Sequence, residues 1–573
     1  MSFWCPPLAS SSSHANKASS SHWSNFFSPS SSLLIFSISA CKIKYLVRLS
    51  SKHAIKYSLE PTLMNSTSLP ELDADQLRDK IWSGFFSQIE ERESSEENRL
   101  LCLTSLKILI RDKTDLSKLV TEDRVLSLMK SSHLSDECNE LPNSKNRSRI
   151  VEAVKCLYNI VLNFNSSASL MYGCGIVENL VGRVIRYSEP DGFEVKLFDL
   201  KLLFLITAFC KESRIRVLES IGGMKFFSAL LAAQLKELKE ASALSEASLQ
   251  KQMILADELK IIFNVLMDFR GSDMELHEPS ELRSLVAVSR EFLAAPVVSS
   301  NVKSDVINLL TLIPMQHLSS ILTEELEGDC RSKDCILETG LQAVSKVMDY
   351  LDKVLTDYED QKSNPNCREL LPPVLLALLH LAKSGSIMRK HIRGRILPKL
   401  TEKEVFTRPE EGNTLRNKLC RLLTSPITNI MDVTADLLFV LCKESVGRMV
   451  KYTGYGNAAG LFARRGLMAR PLEYSSDSEG SDTEEYNKHK EFINPVVGCR
   501  TPSHPDPMEG MTEEQKEVLA MELVNNVDKL IRNKVVQPCT TGPDGRPKPI
   551  EHVLELQQSI KSAENEEDCS DEE

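Results

Sequence analysis

The stretch LLCLTSLKILI at residues 100–110 decides the fold class. Its apolar side chains recur every three or four residues, which is the period of an amphipathic α-helix. Alternation of apolar and polar residues, the pattern of a strand, is limited to a weak candidate at residues 193–197. The sequence therefore predicts an all-α protein. Comparable helical stripes occupy residues 150–162, 198–209, 255–267, 302–312, 370–381, 415–423 and 433–441.

Internal repetition indicates how these helices are arranged. The string CKES at residues 210–213 recurs at residues 442–445, and nine residues after each serine comes a glycine, Gly222 or Gly454. A period of about 48 residues, at which Gly175 echoes Gly223, is typical of armadillo and HEAT units. We therefore expect an armadillo/HEAT-like, right-handed superhelical solenoid in which glycines turn the chain between stacked helices.

Composition divides the chain into four parts. The first 59 residues contain no Asp or Glu and many serines. This composition is typical of a transit peptide, and alternatively of an unstructured or untranslated extension that precedes a start at Met64. Thr512 and Gln515 form a capping box at the start of a predicted amphipathic helix. The predicted parts are a disordered Ser-rich extension at 1–63, the solenoid at 64–470, an acidic, Pro-containing linker at 471–510 that is disordered over residues 473–485, and C-terminal helices with an acidic tail at 511–573.

The motif content gives no indication of bond chemistry. The sequence contains no GxxxxGK[ST], HExxH, GxSxG or CxxC pattern. Its 15 cysteines lie mostly in apolar helical stripes, which is typical of buried thiols in a reducing compartment. A net charge of −11 disfavours nucleic-acid binding, which depends on neutralising phosphates. We therefore expect a cytoplasmic protein that is not an enzyme and takes no metal, cofactor, nucleic acid or directly bound nucleotide.

Asparagines inside the apolar stripes are candidate binding residues. Asn159, Asn264 and Asn308 each lie within a run of apolar residues, where an unpartnered amide is costly. On the inner wall of a solenoid, each amide could bind a peptide backbone. Alternatively, each amide satisfies a neighbouring turn of the solenoid itself, and the sequence leaves both interpretations open.

Two charged segments suggest regulation by phosphorylation. Residues 383–421 contain eleven Lys or Arg against four Glu, which indicates either a basic docking site or a solvated helix face. Downstream, Ser476 and Ser481 are each followed three residues later by Glu, the pattern that acidophilic casein-type kinases use. Because arginine binds phosphoserine well, we hypothesise that the phosphorylated segment docks on the basic residues.

Several longer strings resemble the synembryn family. They are FVLCKES at 439–445, KYTGYGNAAGL at 451–461, TEEY at 483–486, INPV at 493–496 and PMEGMTEEQK at 507–516. The resemblance covers roughly residues 64–560. It implies a guanine-nucleotide exchange factor and folding chaperone for the α subunit of heterotrimeric G proteins (Gα), built on an armadillo/HEAT-like superhelix.

The resemblance also implies a site and partners. The groove would take the C-terminal helix of Gα, and the segment after the linker would contact the nucleotide-binding domain. Implied partners are Gα, GDP-bound or nucleotide-free, and a casein-type kinase, with the protein a cytoplasmic monomer recruited to the cell cortex or plasma membrane. The alternative is an armadillo-type adaptor that binds extended peptides without exchange activity. The candidate residues are Arg111, Asn159, Phe204, Asn264 and Asn308 for the groove, Ser476 and Ser481 for phosphorylation, and Arg389, Lys390, Arg393, Arg448 and Lys451 for the phosphate-accepting basic patch.

Overall fold

The computed structural model describes the chain in two units, one ending at His277 and the other beginning at Glu278. The predicted extension at 1–63 lies outside the described residues, as do residues 551–573 with the acidic tail. The described ranges are 74–136, 141–186, 192–240, 245–268, 279–325, 331–360, 367–470, 483–501, 508 and 510–550.

The first unit consists of two layers of helices. Helices α2, α5, α8 and α11 pack side by side in chain order, and α1, α4, α7 and α10 each cover the partner that follows them. Helix α8 contacts α5, α11 and α7, which explains why its sequence is apolar almost all round. The helices are α1 (Ala74–Glu90), α2 (Glu96–Leu109), α3 (Leu116–Leu119), α4 (Glu122–Ser131), α5 (Arg147–Asn163), α6 (Ser167–Gly173), α7 (Ile176–Arg186), α8 (Phe193–Phe209), α9 (Glu212–Ile221), α10 (Lys225–Glu240) and α11 (Glu246–Met267).

The strand candidate at residues 193–197 is wrong, because these residues form the first turn of α8. Val195 and Leu197 are both buried within the helical layer, so tertiary packing decides the conformation over a short alternating pattern. The same helix carries Asp199, which accepts two hydrogen bonds from Arg183, at 2.7 Å from Nε and 2.6 Å from Nη2. This ion pair is fully buried and ties α7 to α8.

The second unit continues the stacking of helices. Helices α12, α15, α16 and α20 pack in succession, and α17 contacts α15, α16 and α20. Two short antiparallel strand pairs follow, with Ile493 opposite Arg500 and Cys539 opposite Pro549. The elements are α12 (Pro279–Ala294), α13 (Ser300–Leu310), α14 (Met315–Leu318), a 3₁₀ turn (Ser319–Ile321), α15 (Lys333–Asp360), α16 (Cys367–Ser384), α17 (Ser386–Ile396), α18 (Glu402–Phe406), α19 (Leu415–Leu422), α20 (Thr428–Leu441), α21 (Val446–Thr453), α22 (Tyr455–Arg465), α23 (Glu484–His489), a 3₁₀ turn (Lys490–Phe492), β1 (Ile493–Asn494), β2 (Cys499–Arg500), α24 (Glu513–Arg532), β3 (Cys539–Thr541) and β4 (Pro547–Pro549).

The all-α solenoid is confirmed: both units are stacks of helices in chain order, and the strands are confined to the two short pairs in the part of the chain that is described. Gly222 and Gly454 have φ of 78° and 74°, as expected for turns between helices. The right-handed superhelix stays a prediction. None of the described helices is both long enough and apolar enough to cross a bilayer.

The segment 483–501, within the predicted linker, is folded, and its first three residues correct the prediction of disorder over residues 473–485. The Thr483 hydroxyl donates to the carbonyl of Leu400 at 2.7 Å and caps α23 by accepting from the Tyr486 amide. Glu485 accepts from the Glu402 amide at 2.9 Å, which places a carboxylate at the first turn of α18. Since Tyr486 is also buried, this segment is a docked part of the second unit.

Candidate functional site

Among the described residues, one side of the first unit is left uncovered, and we call this side the open face. It is the surface of the α2–α5–α8–α11 layer opposite to α1, α4, α7 and α10. On each helix a stripe of side chains spaced three or four residues apart is less buried than its neighbours. The open face is defined by Lys107, Glu152, Lys155, Tyr158, Asn159, Glu194, Phe198, Lys201 and Lys260.

Ion pairs link three helices across one half of the open face. Glu152 accepts from Lys107 and, at 3.0 Å, from Lys155, whose ammonium also lies 2.7 Å from Glu194. Burial acts to raise the pKa of Glu152, but the hydrogen bonds from both lysines outweigh it, and the pKa lies below its usual value. Glu152 is therefore charged at neutral pH, and the ion pairs hold α2, α5 and α8 in register.

A second charge cluster joins α8 and α11. Asp257 lies 3.0 Å from the Lys201 ammonium and 3.1 Å from the Lys260 ammonium. Next to it, Glu258 is only 4% exposed, and its nearest ammonium, on Lys196, is 3.8 Å away. Burial raises the pKa of Glu258 to about 7, with the charge of Asp257 adding to the effect.

An aromatic pair lies beside the first charge cluster. The Tyr158 and Phe198 rings meet edge to face with centroids 6.3 Å apart, and the Lys155 ammonium lies 4.8 Å from the Phe198 centroid. Burial, followed by the charge of Asp257, raises the pKa of Tyr158 to about 12, so its hydroxyl stays neutral. Half-buried rings between paired charges make a surface suited to an amphipathic helix.

Three of the five predicted groove residues are exposed or half-buried. Asn159 is half-buried on the open face, and its amide donates a long hydrogen bond of 3.4 Å to the carbonyl of Lys107. Arg111 is exposed just beyond the end of α2. Asn308 is half-buried on α13, in the second unit.

The structure corrects the prediction for Asn264 and Phe204, which do not line the open face. Asn264 is fully buried, and its amide donates to the carbonyl of Phe204 at 3.1 Å and to the Thr207 hydroxyl at 3.0 Å. Phe204 is 7% exposed in the same layer. For Asn264 the second interpretation of the sequence holds, because its amide satisfies a neighbouring helix.

Three members of the predicted basic patch converge around one buried thiol. Burial raises the pKa of Cys442 to about 12, and the charges of Arg393, Arg448 and Lys451 counter it in part. Arg393 is 8% exposed, its Nη1 has no hydrogen-bond partner, and its guanidinium carbon lies 5.9 Å from the Tyr452 ring. The structure therefore gathers a dense positive charge between α17 and α21.

The other members of the patch extend it along one helix. Arg389 and Lys390 precede Arg393 on α17, and Lys390 is exposed. The Lys451 ammonium lies 4.3 Å from the ring of Tyr486, so the docked segment 483–501 reaches the same region. The predicted phosphosites Ser476 and Ser481 lie outside the described residues.

The C-terminal helix α24 forms as predicted and leaves its apolar side chains in solvent. Thr512 and Gln515 make the reciprocal capping box, with bonds of 3.3 and 3.1 Å. None of the residues of α24 is buried, and Val518, Met521 and Leu523 are 66%, 68% and 65% exposed. A helix with this much exposed apolar surface is typical of an element that binds a partner.

The charged residues of the open face are the part of the site that sequence reasoning missed. Within α5, Glu152, Lys155 and Asn159 are spaced three and four residues apart, opposite the apolar stripe. Only Asn159 is among the predicted groove residues, although this spacing could have identified all three. Their partners, Lys107 and Glu194, lie on other helices. Among the described residues, no cluster of three or more His, Cys, Asp or Glu is arranged to hold a metal.

The sequence is similar to a known family and to several named proteins over most of its length. The family described as guanine nucleotide exchange factor synembryn matches residues 102–546. Chaperone Ric-8 of Drosophila pseudoobscura pseudoobscura is 34% identical over 527 residues, covering 84% of this chain and 90% of that protein. Chaperone Ric-8A of Danio rerio is 35% identical over 499 residues, covering 84% and 88%, and Chaperone Ric-8A of Gallus gallus is 36% identical over 480 residues, covering 81% and 87%.

A solved structure is also similar to this chain. A chain from a structure of the interaction between cadherin and β-catenin has a TM-score of 0.33 and 13% identity, covering 77% of this chain and 87% of that one. The sequence comparisons extend over both units, the docked segment 483–501 and α24. The chain therefore belongs to the synembryn family of guanine nucleotide exchange factors, whose similar relatives are named as chaperones.

Proposed function

We propose that this protein is an exchange factor and folding chaperone for Gα. Membership of the synembryn family and the chaperone names of its relatives support the proposal. The observation that carries it is α24, an amphipathic helix whose apolar side chains stay exposed on a chain that already has an open face. Two partner surfaces on one chain suit a client that must be held at two points.

The open face would take the C-terminal helix of Gα. Tyr158 and Phe198 offer half-buried apolar surface, which an amphipathic client helix can cover. The long hydrogen bond of Asn159 is weak at 3.4 Å, so its amide is the polar group most easily redirected to a client. The lysines and glutamates around it are already paired, and they would set the register of the client helix.

Exchange by this mechanism involves no making or breaking of bonds. A partner that binds nucleotide-free Gα more tightly than GDP-bound Gα releases GDP by mass action. Holding the C-terminal helix of Gα would loosen the base-binding loop at its root, while α24 contacts the nucleotide-binding domain. Because both contacts belong to one chain, each raises the effective concentration of the other.

The GDP-release assay tests this proposal with a matched pair of variants. In Leu523→Glu a charge replaces a side chain that is 65% exposed on α24, and exchange on purified Gα falls about tenfold because about 1–2 kcal/mol of apolar contact is lost. In the control, Ile185→Glu, the replaced isoleucine is 49% exposed on α7, on the side of the layer opposite to the open face, and exchange is unchanged. A parent chain that binds a Gα tail peptide yet releases no GDP would establish the adaptor alternative instead.

Phosphorylation by a casein-type kinase at Ser476 and Ser481 would regulate exchange through the basic patch. The unmet donor on Arg393 and the charges around it support this, since a phosphate has strong acceptor oxygens. Charge reversal at Arg389, Lys390 and Arg393 removes the response of the exchange rate to phosphorylation. A control that reverses Lys333 and Lys353, both exposed on α15, retains the response. If the variant with reversed charges at Arg389, Lys390 and Arg393 still changes its exchange rate on phosphorylation, docking at this patch is excluded.

The proposed setting is a cytoplasmic monomer recruited to the cell cortex or plasma membrane when it acts on Gα. This setting follows from the proposed client, because a factor that acts on Gα has to meet it. Sedimentation equilibrium of the purified chain and imaging of the tagged protein test the two parts separately. A stable dimer or a purely organellar location would overturn them.

A further inference from the structure

Helix α24 is flanked in sequence by two hairpins, and both contact the same helix, α22. The β1–β2 hairpin reaches its first turn, where the carbonyls of Pro495 and Val496 accept from the amides of Tyr455 and Gly456 at 2.8 and 2.9 Å. These two amides have no acceptor within α22, because the first turn of a helix lacks them. The hairpin therefore caps α22 from outside.

The β3–β4 hairpin reaches the opposite end of α22. The amide of Met468 donates to the carbonyl of Gly545 at 3.1 Å. Gly466 ends α22 with φ of 67°, and Gly545 has φ of 70°. The two backbones touch so closely that a Cβ on Gly545 would overlap the Gly466 carbonyl, and a Cβ on Gly466 would lie 2.6 Å from the carbonyl oxygen of Asp544. Glycine is required on both sides of this contact.

The geometry limits where α24 can go. Helix α22 has 11 residues, so its two ends are about 15 Å apart. Six residues, 533–538, separate the end of α24 from β3, which keeps that end within about 20 Å of the second hairpin. Next to β4, Ile550 is 2% exposed, and its amide donates to the carbonyl of Pro538 at 2.9 Å. The hairpin is thus closed on itself as well as docked.

We propose that the β3–β4 hairpin is an anchor that presents α24 to its client as a bridge tied at both ends. Gly466 and Gly545 are then positioning residues for exchange, because their close approach fixes the C-terminal end of the helix. This inference rests on the proposed function, in which α24 contacts the nucleotide-binding domain of Gα. Fixing the helix in advance lowers the ordering cost of binding and raises its effective concentration at the client.

The test uses the full chain and a glycine substitution at the contact. Gly545→Ala forces the hairpin off α22, so GDP release at subsaturating concentration falls about tenfold and amide hydrogen exchange within residues 513–532 speeds up. Gly466→Ala disrupts the same contact from the α22 side, so it also slows GDP release and speeds up amide hydrogen exchange within residues 513–532. Gly173→Ala is the control, because a Cβ there meets no atom within 4 Å, and it changes neither measurement. Tail-peptide affinity is expected to stay at the parent value in all three.

The outcomes separate this inference from the proposed function. Parent-like exchange in both Gly545→Ala and Gly466→Ala overturns the anchor. Slower exchange without faster hydrogen exchange in α24 also overturns it, because the effect is then unrelated to positioning. If Leu523→Glu slows exchange while the glycine variants leave it unchanged, only the anchor fails. If Leu523→Glu has no effect either, the contact of α24 with Gα fails as well.

Discussion

Replacing Glu258 with glutamine should stabilise the first unit in a way that depends on pH. The folded protein raises the pKa of this 4% exposed carboxyl from 4.5 to about 7, chiefly by burial. Folded Glu258 therefore holds its proton more tightly than the unfolded chain does. Its contribution to stability is greatest below pH 4.5 and is lost as the pH rises through 7.

The size of the effect follows from the shift. A difference of about 2.5 pKa units, from 7 minus 4.5, corresponds to about 3 kcal/mol once the pH exceeds 8. Because glutamine is neutral at every pH, Glu258→Gln avoids this cost. The expected gain is about 3 kcal/mol at pH 8 and less than about 1 kcal/mol at pH 5.

Urea unfolding followed by the fluorescence of Trp82 measures this gain. Trp82 is fully buried in the first unit, and replacing Trp4 and Trp23 by phenylalanine leaves it as the sole tryptophan. Glu240→Gln, at an exposed carboxyl that ends α10, is the control and changes little. A gain for Glu258→Gln that is equal at pH 5 and pH 8, or larger at pH 5, would refute the reasoning.

Two further predictions concern buried and half-buried polar groups. Asp199→Ala should lower the free energy of unfolding by about 3–5 kcal/mol, because the fully buried Arg183 keeps its bonds to the carbonyls of residues 132 and 133 but loses the carboxylate that balances its charge. A loss below about 1 kcal/mol in thermal unfolding would show that the pair is dispensable. Asn264→Ala should lower the free energy of unfolding by about 1–3 kcal/mol and leave the affinity for the Gα tail peptide, measured by calorimetry, unchanged. Asn159→Ala should lower the free energy of unfolding by less than about 1 kcal/mol and weaken binding of that peptide. The reverse pattern would place Asn264 in the binding surface.

Local patterns in the sequence predicted much of the fold. The apolar stripe at residues 150–162 lies within α5, and the stripe at 255–267 lies within α11, because helical periodicity depends only on neighbouring residues. The capping box at Thr512 and the turns at Gly222 and Gly454 are equally local. These features could be read from single windows of sequence.

Contacts between elements distant in sequence could not be predicted in this way. Lys107 and Glu152 are 45 residues apart, so their ion pair depends on how α2 and α5 are stacked. Asn264 occurs in the same kind of apolar run as Asn159, yet Asn264 is buried against Phe204 and Thr207 of α8, whereas Asn159 is half-buried. The segment 483–501 looks polar and linker-like, and its docking depends on carbonyls and amides of α18 and α22.

The most direct test of the two-surface mechanism compares the full chain with a chain ending at Arg470, which keeps the open face and lacks α24. GDP release from purified Gα is measured for both, alongside binding of the Gα tail peptide and circular dichroism to verify folding. The account predicts that the shortened chain binds the peptide with the affinity of the full chain and loses most of its exchange activity. Equal rates of GDP release would contradict it.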